Sequence, residues 1–142
     1  MKELKTILNE GLLGFGDDGW IFAVIKPGSL HLAPQIIKIF ESFGWTLAKN
    51  RTKQLLLSEA HKLYAVHKKE DFYEDLCKYM SSGDSMGLIF TNPMFKISKK
   101  MYKQTNEIKD IIRKKYSESD MRNVLHSSDS YQAMLNESSI YF

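Results

Sequence analysis

One histidine, His126, stands among residues that could support nucleophilic chemistry. It lies in the segment RNVLHSSDS (residues 122–130), where an amide precedes it and small hydroxylated residues and a carboxylate follow. Near neutral pH an imidazole keeps one ring nitrogen unprotonated, and hydroxyl or carboxylate partners can fix the tautomer that leaves this nitrogen available. From these residues alone, two interpretations stay open: a nucleophilic histidine, or a buried histidine beside a helix cap.

Basic residues are concentrated in one part of the chain. Residues 96–115 contain eight lysines and arginines against two acidic residues, although the 142-residue chain has a net charge of only +3. Residues three or four apart share one face of a helix, so Lys96, Lys99 and Lys103 can point the same way. A solvated helix face and a binding site for a polyanion both fit this pattern.

Several other chemistries are not indicated. The glycines at 11–19 precede the first predicted strand instead of following it, no phosphate-binding loop motif is present, and no cysteines and histidines show zinc spacing. The single cysteine, Cys77, cannot form an internal disulfide and is expected to pack as a small apolar residue. For His31, His61 and His67 we expect surface or interface positions.

Length and composition predict one folded domain. Apolar residues make up 43% and charged residues 26% of the chain, an ordinary globular balance. No apolar run approaches the roughly 20 residues that cross a bilayer, and the N-terminus lacks a signal-peptide pattern. Together with the low cysteine usage, this leads us to expect a cytoplasmic protein without a membrane segment.

The order of elements predicts an α+β sandwich in which helices cover a small antiparallel sheet. Patterns of apolar residues predict strands at 20–26, 45–53 and 86–91, helices at 34–43, 58–67 (with Ser58 as its cap) and 72–80, and helical segments at 95–102, 107–112, 119–125 and 130–137. A ferredoxin-like sheet needs a fourth strand, for which the region near Lys115 or the C-terminal tail is left. Residues 1–19, with a short helix at 2–9, are predicted to be an extension before a domain at 20–142.

From about Trp20 to its C-terminus, the chain resembles the nucleoside diphosphate kinases. The resemblance rests on six segments in the family's order: FAVIKPG (22–28), LY (63–64), FYEDLCKYMSSG (72–83), IIRKKY (111–116), RNVLHSSDS (122–130) and ESSIYF (137–142). The spacings of the family's functional residues are matched as well, and the resemblance implies the family's ferredoxin-like fold.

The resemblance also implies a phosphotransferase with two half-reactions. His126 would accept the γ-phosphate of ATP or another nucleoside triphosphate as a phosphohistidine, and a nucleoside diphosphate would then collect it. Glu137 matches the glutamate that orients the histidine. The other matched residues would bind the nucleotide: Lys26, Lys99, Thr105 and Arg113 at the phosphates, Asn123 at the ribose, Phe72 at the base, Tyr64 near Lys26, and Ser128. Mg²⁺ would enter with the phosphates, and the family implies a homo-oligomer, a hexamer or smaller.

The sequence departs from the family pattern at several positions. Gly28 stands where the family has an aspartate, and Lys99 stands where it has an arginine. Lys114-Lys115 replaces a Gly-Asp pair, and Ser127 replaces the glycine that follows the histidine. The segment between Thr105 and Arg113 is shorter and lacks a proline-rich loop. Two alternative functions follow: a nucleotide sensor or scaffold of this family without catalysis, or a nucleic-acid-binding module that uses residues 96–115.

Overall fold

A computed structural model of the chain describes residues 18–142, and these form a sheet of four strands with five helices. The elements, in chain order, are β1 (Asp18–Ile25), α1 (Ala33–Ser42), β2 (Thr46–Lys53), α2 (Leu57–Leu63), α3 (Tyr73–Met80), β3 (Ser85–Lys96), α4 (Lys99–Tyr116), β4 (Leu125–Ser127) and α5 (Tyr131–Tyr141). Short 3₁₀ turns occupy Leu30–Leu32 and Ala65–His67. The helix predicted at 2–9 lies outside the described residues, as does the predicted extension except for Asp18 and Gly19, which begin β1.

The strand order β2-β3-β1-β4, with every neighbouring pair antiparallel, is that of a ferredoxin-like sheet. The predicted α+β class is therefore confirmed. β1 lies inside the sheet, and from Gly19 to Ile25 every residue is buried. A strand covered on both faces has no polar side to present to water, which explains its continuous apolar sequence.

Helices pack on both faces of the sheet. Phe22 of β1 pairs with Ile89 of β3, so these two side chains share a face and the next residue, Phe90, points to the other side. The Phe22 ring packs on Tyr141 of α5, with ring centroids 5.7 Å apart. The Phe90 ring stacks on Phe40 of α1 at 4.3 Å. The helices α1 and α5 therefore cover opposite faces.

Most of the predicted elements are present, but the helix predicted at 95–102 is wrong in its first half. β3 continues to Lys96, and α4 then runs as one helix from Lys99 to Tyr116. The Phe95 ring stacks on Trp45 at 5.6 Å, a tertiary contact that favours the extended backbone. The two predicted helical segments at 95–102 and 107–112 thus become the end of a strand followed by a single helix.

The helix predicted at 119–125 is also wrong. This segment is irregular and leads into β4, the fourth strand, which carries His126 itself. Val124 has a φ of 75°, in the left-handed region that a β-branched residue rarely adopts, and this breaks a helix at once.

The N-terminus of α2 likewise differs from expectation. The helix begins at Leu57 rather than at the predicted cap Ser58, because the Glu59 carboxylate accepts a hydrogen bond from the Leu56 N–H at 2.9 Å. Finally, none of the helices formed by residues 18–142 combines the length and the apolar character needed to span a bilayer.

Candidate active site

A cleft of about 650 Å³ opens between α2, α3, α4, β4 and α5. Its walls carry both basic and aromatic side chains. The residues that line it are Lys26, Leu63, Tyr64, Val66, His67, Phe72, Leu76, Lys109, Arg113, Asp120, Met121, Asn123, His126, Ser127, Asp129, Ala133 and Glu137. Residues far apart in the sequence therefore meet at one concave surface, which is the usual form of a small-molecule site.

The register of the short strand β4 turns His126 toward α5. His126 pairs with Val24, which is two residues from Phe22 and therefore on the α5 face. From α5, Glu137 projects to the imidazole, and its Oε1 accepts a hydrogen bond from His126 Nε2. The Tyr64 ring meets the imidazole edge-on, with centroids 5.1 Å apart. The imidazole is thus fixed from two sides.

The protonation of His126 follows from these surroundings. Burial lowers the pKa of the imidazole, and the charges of Lys26 and Lys109 lower it further, although Glu137 acts in the opposite direction. A neutral ring that donates from Nε2 to Glu137 keeps the lone pair of Nδ1, which has no hydrogen-bond partner among residues 18–142. Nδ1 is therefore the nitrogen available for nucleophilic attack.

The backbone around His126 is tied to two basic residues. Arg113 Nε donates to the Leu125 carbonyl at 2.9 Å, and the Lys26 N–H donates to the Val124 carbonyl at 2.8 Å. These bonds hold Val124 in its unusual conformation, which costs on the order of 1–3 kcal/mol. The position of the histidine thus depends on the same residues that bring positive charge to the cleft.

Three cations face the cleft without an ion pair to any carboxylate of residues 18–142. They are Lys26, Lys109 and Arg113. The Lys26 side chain is almost fully buried, and Nζ donates only a long hydrogen bond, 3.4 Å, to the Met121 carbonyl. Desolvation, followed by the charges of Arg113 and Lys109, lowers the pKa of Lys26 to about 7. Burial also lowers the pKa values of Lys109 and Arg113.

Unpaired buried cations are costly, and an anionic ligand would remove much of that cost. A second sign of a polar ligand is the Tyr64 hydroxyl, which is buried with no partner among the described residues. Its phenol has a raised pKa because of burial, so it remains a neutral donor. The basic end of the cleft is therefore suited to phosphate groups.

The other end of the cleft is apolar and aromatic. Phe72, at the start of α3, is 44% exposed, and the His67 ring lies 5.5 Å from it. Val66 is 84% exposed, and Leu63 and Leu76 form the floor beside it. A half-exposed aromatic ring over an apolar floor can stack on the face of a planar heterocycle.

Seven of the residues singled out from the sequence lie together in this cleft. They are Lys26, Tyr64, Phe72, Arg113, Asn123, His126 and Glu137. Because the Asn123 side-chain nitrogen donates to the Asp120 carbonyl and its oxygen is without a partner in the described part of the chain, that oxygen is free to accept from a ligand.

The structure does not bring the other three predicted residues to the cleft. Thr105 is fully buried on α4, and its hydroxyl donates to the Met101 carbonyl at 2.9 Å, one helical turn back. Lys99 is exposed at the start of the same helix. Ser128 is buried with its N–H on the Phe22 carbonyl, and its hydroxyl does not line the cleft. The continuity of α4 keeps both Lys99 and Thr105 away.

Two further residues of the cleft were missed. Lys109 lies four residues before Arg113, so the two share a face of α4, and this spacing would have revealed it had a continuous helix been predicted. For His67 a surface or interface position was expected, and its ring lies near those of Tyr64 and Phe72, with centroids 6.3 Å and 5.5 Å away. The sequence gives no comparable signal for His67.

Among residues 18–142, no group of three or more histidine, cysteine, aspartate or glutamate side chains is arranged to hold a metal ion. The donor set of the cleft, with its three cations, instead fits an anion.

Comparison with known proteins agrees with this geometry. The family model described as nucleoside diphosphate kinase matches residues 21–142. The chain is 29% identical over 127 residues to a nucleoside diphosphate kinase of Fervidobacterium nodosum, covering 85% of this chain and 86% of that protein. It is 32% identical over 127 residues to the nucleoside diphosphate kinase of Hyperthermus butylicus, covering 85% and 89%.

Solved structures show the same fold. A crystal form of the Aquifex aeolicus nucleoside diphosphate kinase superposes with a TM-score of 0.71 at 19% identity, over 87% of this chain and 94% of that one. The Halobacterium salinarum nucleoside diphosphate kinase, solved in complex with CDP, gives a TM-score of 0.74 at 21% identity over 88% of each chain.

Proposed function

The chain belongs to the nucleoside diphosphate kinase family of phosphotransferase enzymes, and we propose that it transfers the γ-phosphate of a nucleoside triphosphate to a nucleoside diphosphate through a phosphohistidine at His126. One observation carries the proposal. A neutral imidazole, held by Glu137 through Nε2, stands in a cleft whose cations have no carboxylate partner among residues 18–142.

In the first half-reaction, the lone pair of Nδ1 attacks the γ-phosphorus. The N–P bond forms as the bond from phosphorus to the β,γ-bridging oxygen breaks, and the nucleoside diphosphate leaves with that electron pair. The Nε2 proton stays on the ring, where Glu137 stabilises the positive charge that develops. Lys26 and Arg113 offset the negative charge of the phosphoryl oxygens.

In the second half-reaction, a terminal oxygen of another nucleoside diphosphate attacks the phosphorus and the N–P bond breaks. The ring regains its neutral form, ready for the next donor. Both substrates use the same phosphate and base positions, so one site serves donor and acceptor in turn. The alignment of phosphorus with the ring nitrogen depends on the anchored backbone of β4.

The base end of the cleft supports broad nucleotide specificity. Phe72 offers a stacking surface, and stacking tolerates every base because every base has a π-face. The Asn123 side-chain oxygen is placed to accept from a ribose hydroxyl. A relative solved with CDP supports a nucleotide as the ligand of this fold.

We propose that Mg²⁺ reaches the site on the nucleotide, since the described residues offer no cage for it. When bound, it supplies charge neutralisation of the polyphosphate. The homo-oligomer, with six subunits or fewer, and the cytoplasmic location remain predictions. Light scattering measures the first of these directly.

Incubation with γ-labelled ATP tests the proposed function. The wild-type protein should acquire acid-labile, alkali-stable label in stoichiometric amount and release it to any nucleoside diphosphate. His126→Ala should acquire none, whereas His31→Ala, an exposed histidine distant in sequence, should behave as wild type. A wild-type protein that binds ADP but carries no label points to the sensor or scaffold alternative.

The nucleic-acid alternative makes a different prediction. Oligonucleotide binding would fall steeply with salt, and neutralising Lys114 and Lys115 would flatten that dependence. Competition by free ADP would instead assign the binding to the cleft.

A further inference from the structure

We propose that Lys109 binds the phosphates of the nucleotide, in the role that the sequence resemblance implied for Lys99 and Thr105. The inference rests on the proposed function and adds to it a specific ligand from α4. Lys99, Thr105 and Lys109 belong to one uninterrupted helix, and only Lys109 lines the cleft.

The geometry of α4 explains why Lys109 lies there. Positions four apart fall on one side of a helix, so Lys109 and Arg113 project together. Arg113 is fixed by its bond to the Leu125 carbonyl, next to His126. Lys109 therefore lines the cleft one helical turn from Arg113, which contacts the strand that carries His126.

The positive charges of Lys109 and Arg113, four residues apart on α4, repel each other. A third cation, Lys26, lines the same cleft. The charge of Lys109 is close enough to lower the pKa of both Lys26 and His126. The nearby carboxylates do not cancel it: Glu137 is bonded to His126, and Asp129 and Asp110 form no ion pair with Lys109. An anion between the three cations would relieve this repulsion.

The chemistry of the site identifies that anion as a polyphosphate. The cleft combines Lys109, Lys26 and Arg113 with the partnerless hydroxyl of Tyr64, while its far end accepts a flat apolar group at Phe72. The Lys109 ammonium is a compact charge on a flexible side chain, so it can stay close to a phosphoryl group as that group moves. The planar guanidinium of Arg113 can instead donate two parallel hydrogen bonds to a pair of phosphate oxygens. Lys109 is thus suited to the phosphates that are exchanged at His126.

The test compares Lys109→Gln with Lys109→Arg and with Lys103→Gln, the control. Lys103 lies on the same helix but is exposed and does not line the cleft. The probes are AMP and a non-hydrolysable ATP analogue with Mg²⁺, measured by titration calorimetry. Lys109→Met is the second variant, in case the glutamine variant does not fold.

Loss of a charged hydrogen-bond donor should weaken binding of the analogue about 10- to 100-fold, with AMP binding changed less than threefold. The arginine variant should retain most of the affinity, and the Lys103 variant should match wild type. Removal of the charge should also raise the pKa of His126, followed by NMR of the imidazole, which a merely structural role would not do.

Analogue binding within twofold of wild type in both neutral variants would overturn the inference, as would an equal loss in the Lys103 control. The proposed function fails separately, if the wild-type protein binds the analogue but never forms a phosphohistidine. In that case a Lys109-dependent affinity still identifies the phosphate ligand.

Discussion

Raising the pH from about 7.5 to about 9 should weaken nucleoside triphosphate binding through a single buried side chain, Lys26. In the free protein its pKa is about 7, because the ammonium is desolvated and faces Arg113 and Lys109. A bound polyphosphate supplies the missing negative charge and raises this pKa. Binding therefore takes up a proton, and the apparent affinity must fall as the pH rises through and above 7.

The size of the effect follows from the titration of the free protein. With a pKa of about 7, roughly a quarter of Lys26 is charged at about pH 7.5 and about one hundredth at about pH 9. If Lys26 stays charged in the nucleotide complex, the apparent Kd rises roughly 25-fold over this pH range. Phosphate monoesters lose their second proton near pH 6, so the ligand itself contributes little here.

Calorimetry with a non-hydrolysable analogue measures both quantities. Titrations at about pH 8 in two buffers of different ionisation enthalpy should show an uptake of roughly 0.9 proton per nucleotide. Lys26→Arg keeps its charge throughout the range and should lose most of the pH dependence. Lys109, whose pKa is also lowered, acts in the same direction and accounts for any residual slope.

A wild-type Kd that stays constant between these pH values would refute this role of Lys26. The role would equally be refuted by an arginine variant whose Kd changes as steeply as that of the wild type. In either case binding would not be linked to the uptake of a proton by Lys26.

Three further perturbations probe the site and the fold. Glu137→Gln should slow phosphohistidine formation on the order of 10²-fold in rapid-quench experiments, because the developing imidazolium loses its carboxylate; a rate within twofold of wild type would contradict this role. Phe72→Ala should raise KM for nucleoside diphosphates about 5- to 100-fold with little change in kcat, and an unchanged KM would show that the base does not stack there. Gly87→Ala should lower the free energy of unfolding by about 1–3 kcal/mol in urea titrations, because the new Cβ would lie 2.7 Å from the Tyr141 ring. Gly83→Ala is the control and should leave the free energy of unfolding nearly unchanged, because the nearest neighbour of its Cβ lies at 3.8 Å.

Local patterns in the sequence were sufficient for several elements of the fold, although not for β3 and α4, the longest strand and the longest helix among the described residues. The apolar run at β1, the spacing of apolar residues in α1 and the helical pattern predicted at 130–137 each express a short-range preference. All three elements are found, although α5 begins at Tyr131 and continues to Tyr141. Packing of Cys77 as a small apolar residue was predicted from the general behaviour of free cysteines, and the side chain is buried. Such features depend on neighbours within a few residues, which a sequence displays directly.

The short strand β4 could not be located in this way. Three residues carry too little periodicity, and β4 exists because its backbone pairs with the free edge of β1. That pairing also decides which way His126 points. The motif identified a candidate nucleophile, but only the register opposite Val24 places it on the face where α5 presents Glu137.

Through its resemblance to the family, the sequence predicted the residue types of the candidate site: the histidine, its acid eleven residues later, the lysine after the first strand, and the arginine ten residues before the asparagine. The tertiary structure decided which cations accompany them. Because α4 is one continuous helix, it turns Thr105 into the core, leaves Lys99 in solvent and brings Lys109 beside Arg113. A motif records the order and spacing of residues, whereas the path of the backbone between them, set by packing, fixes which side chains reach the ligand.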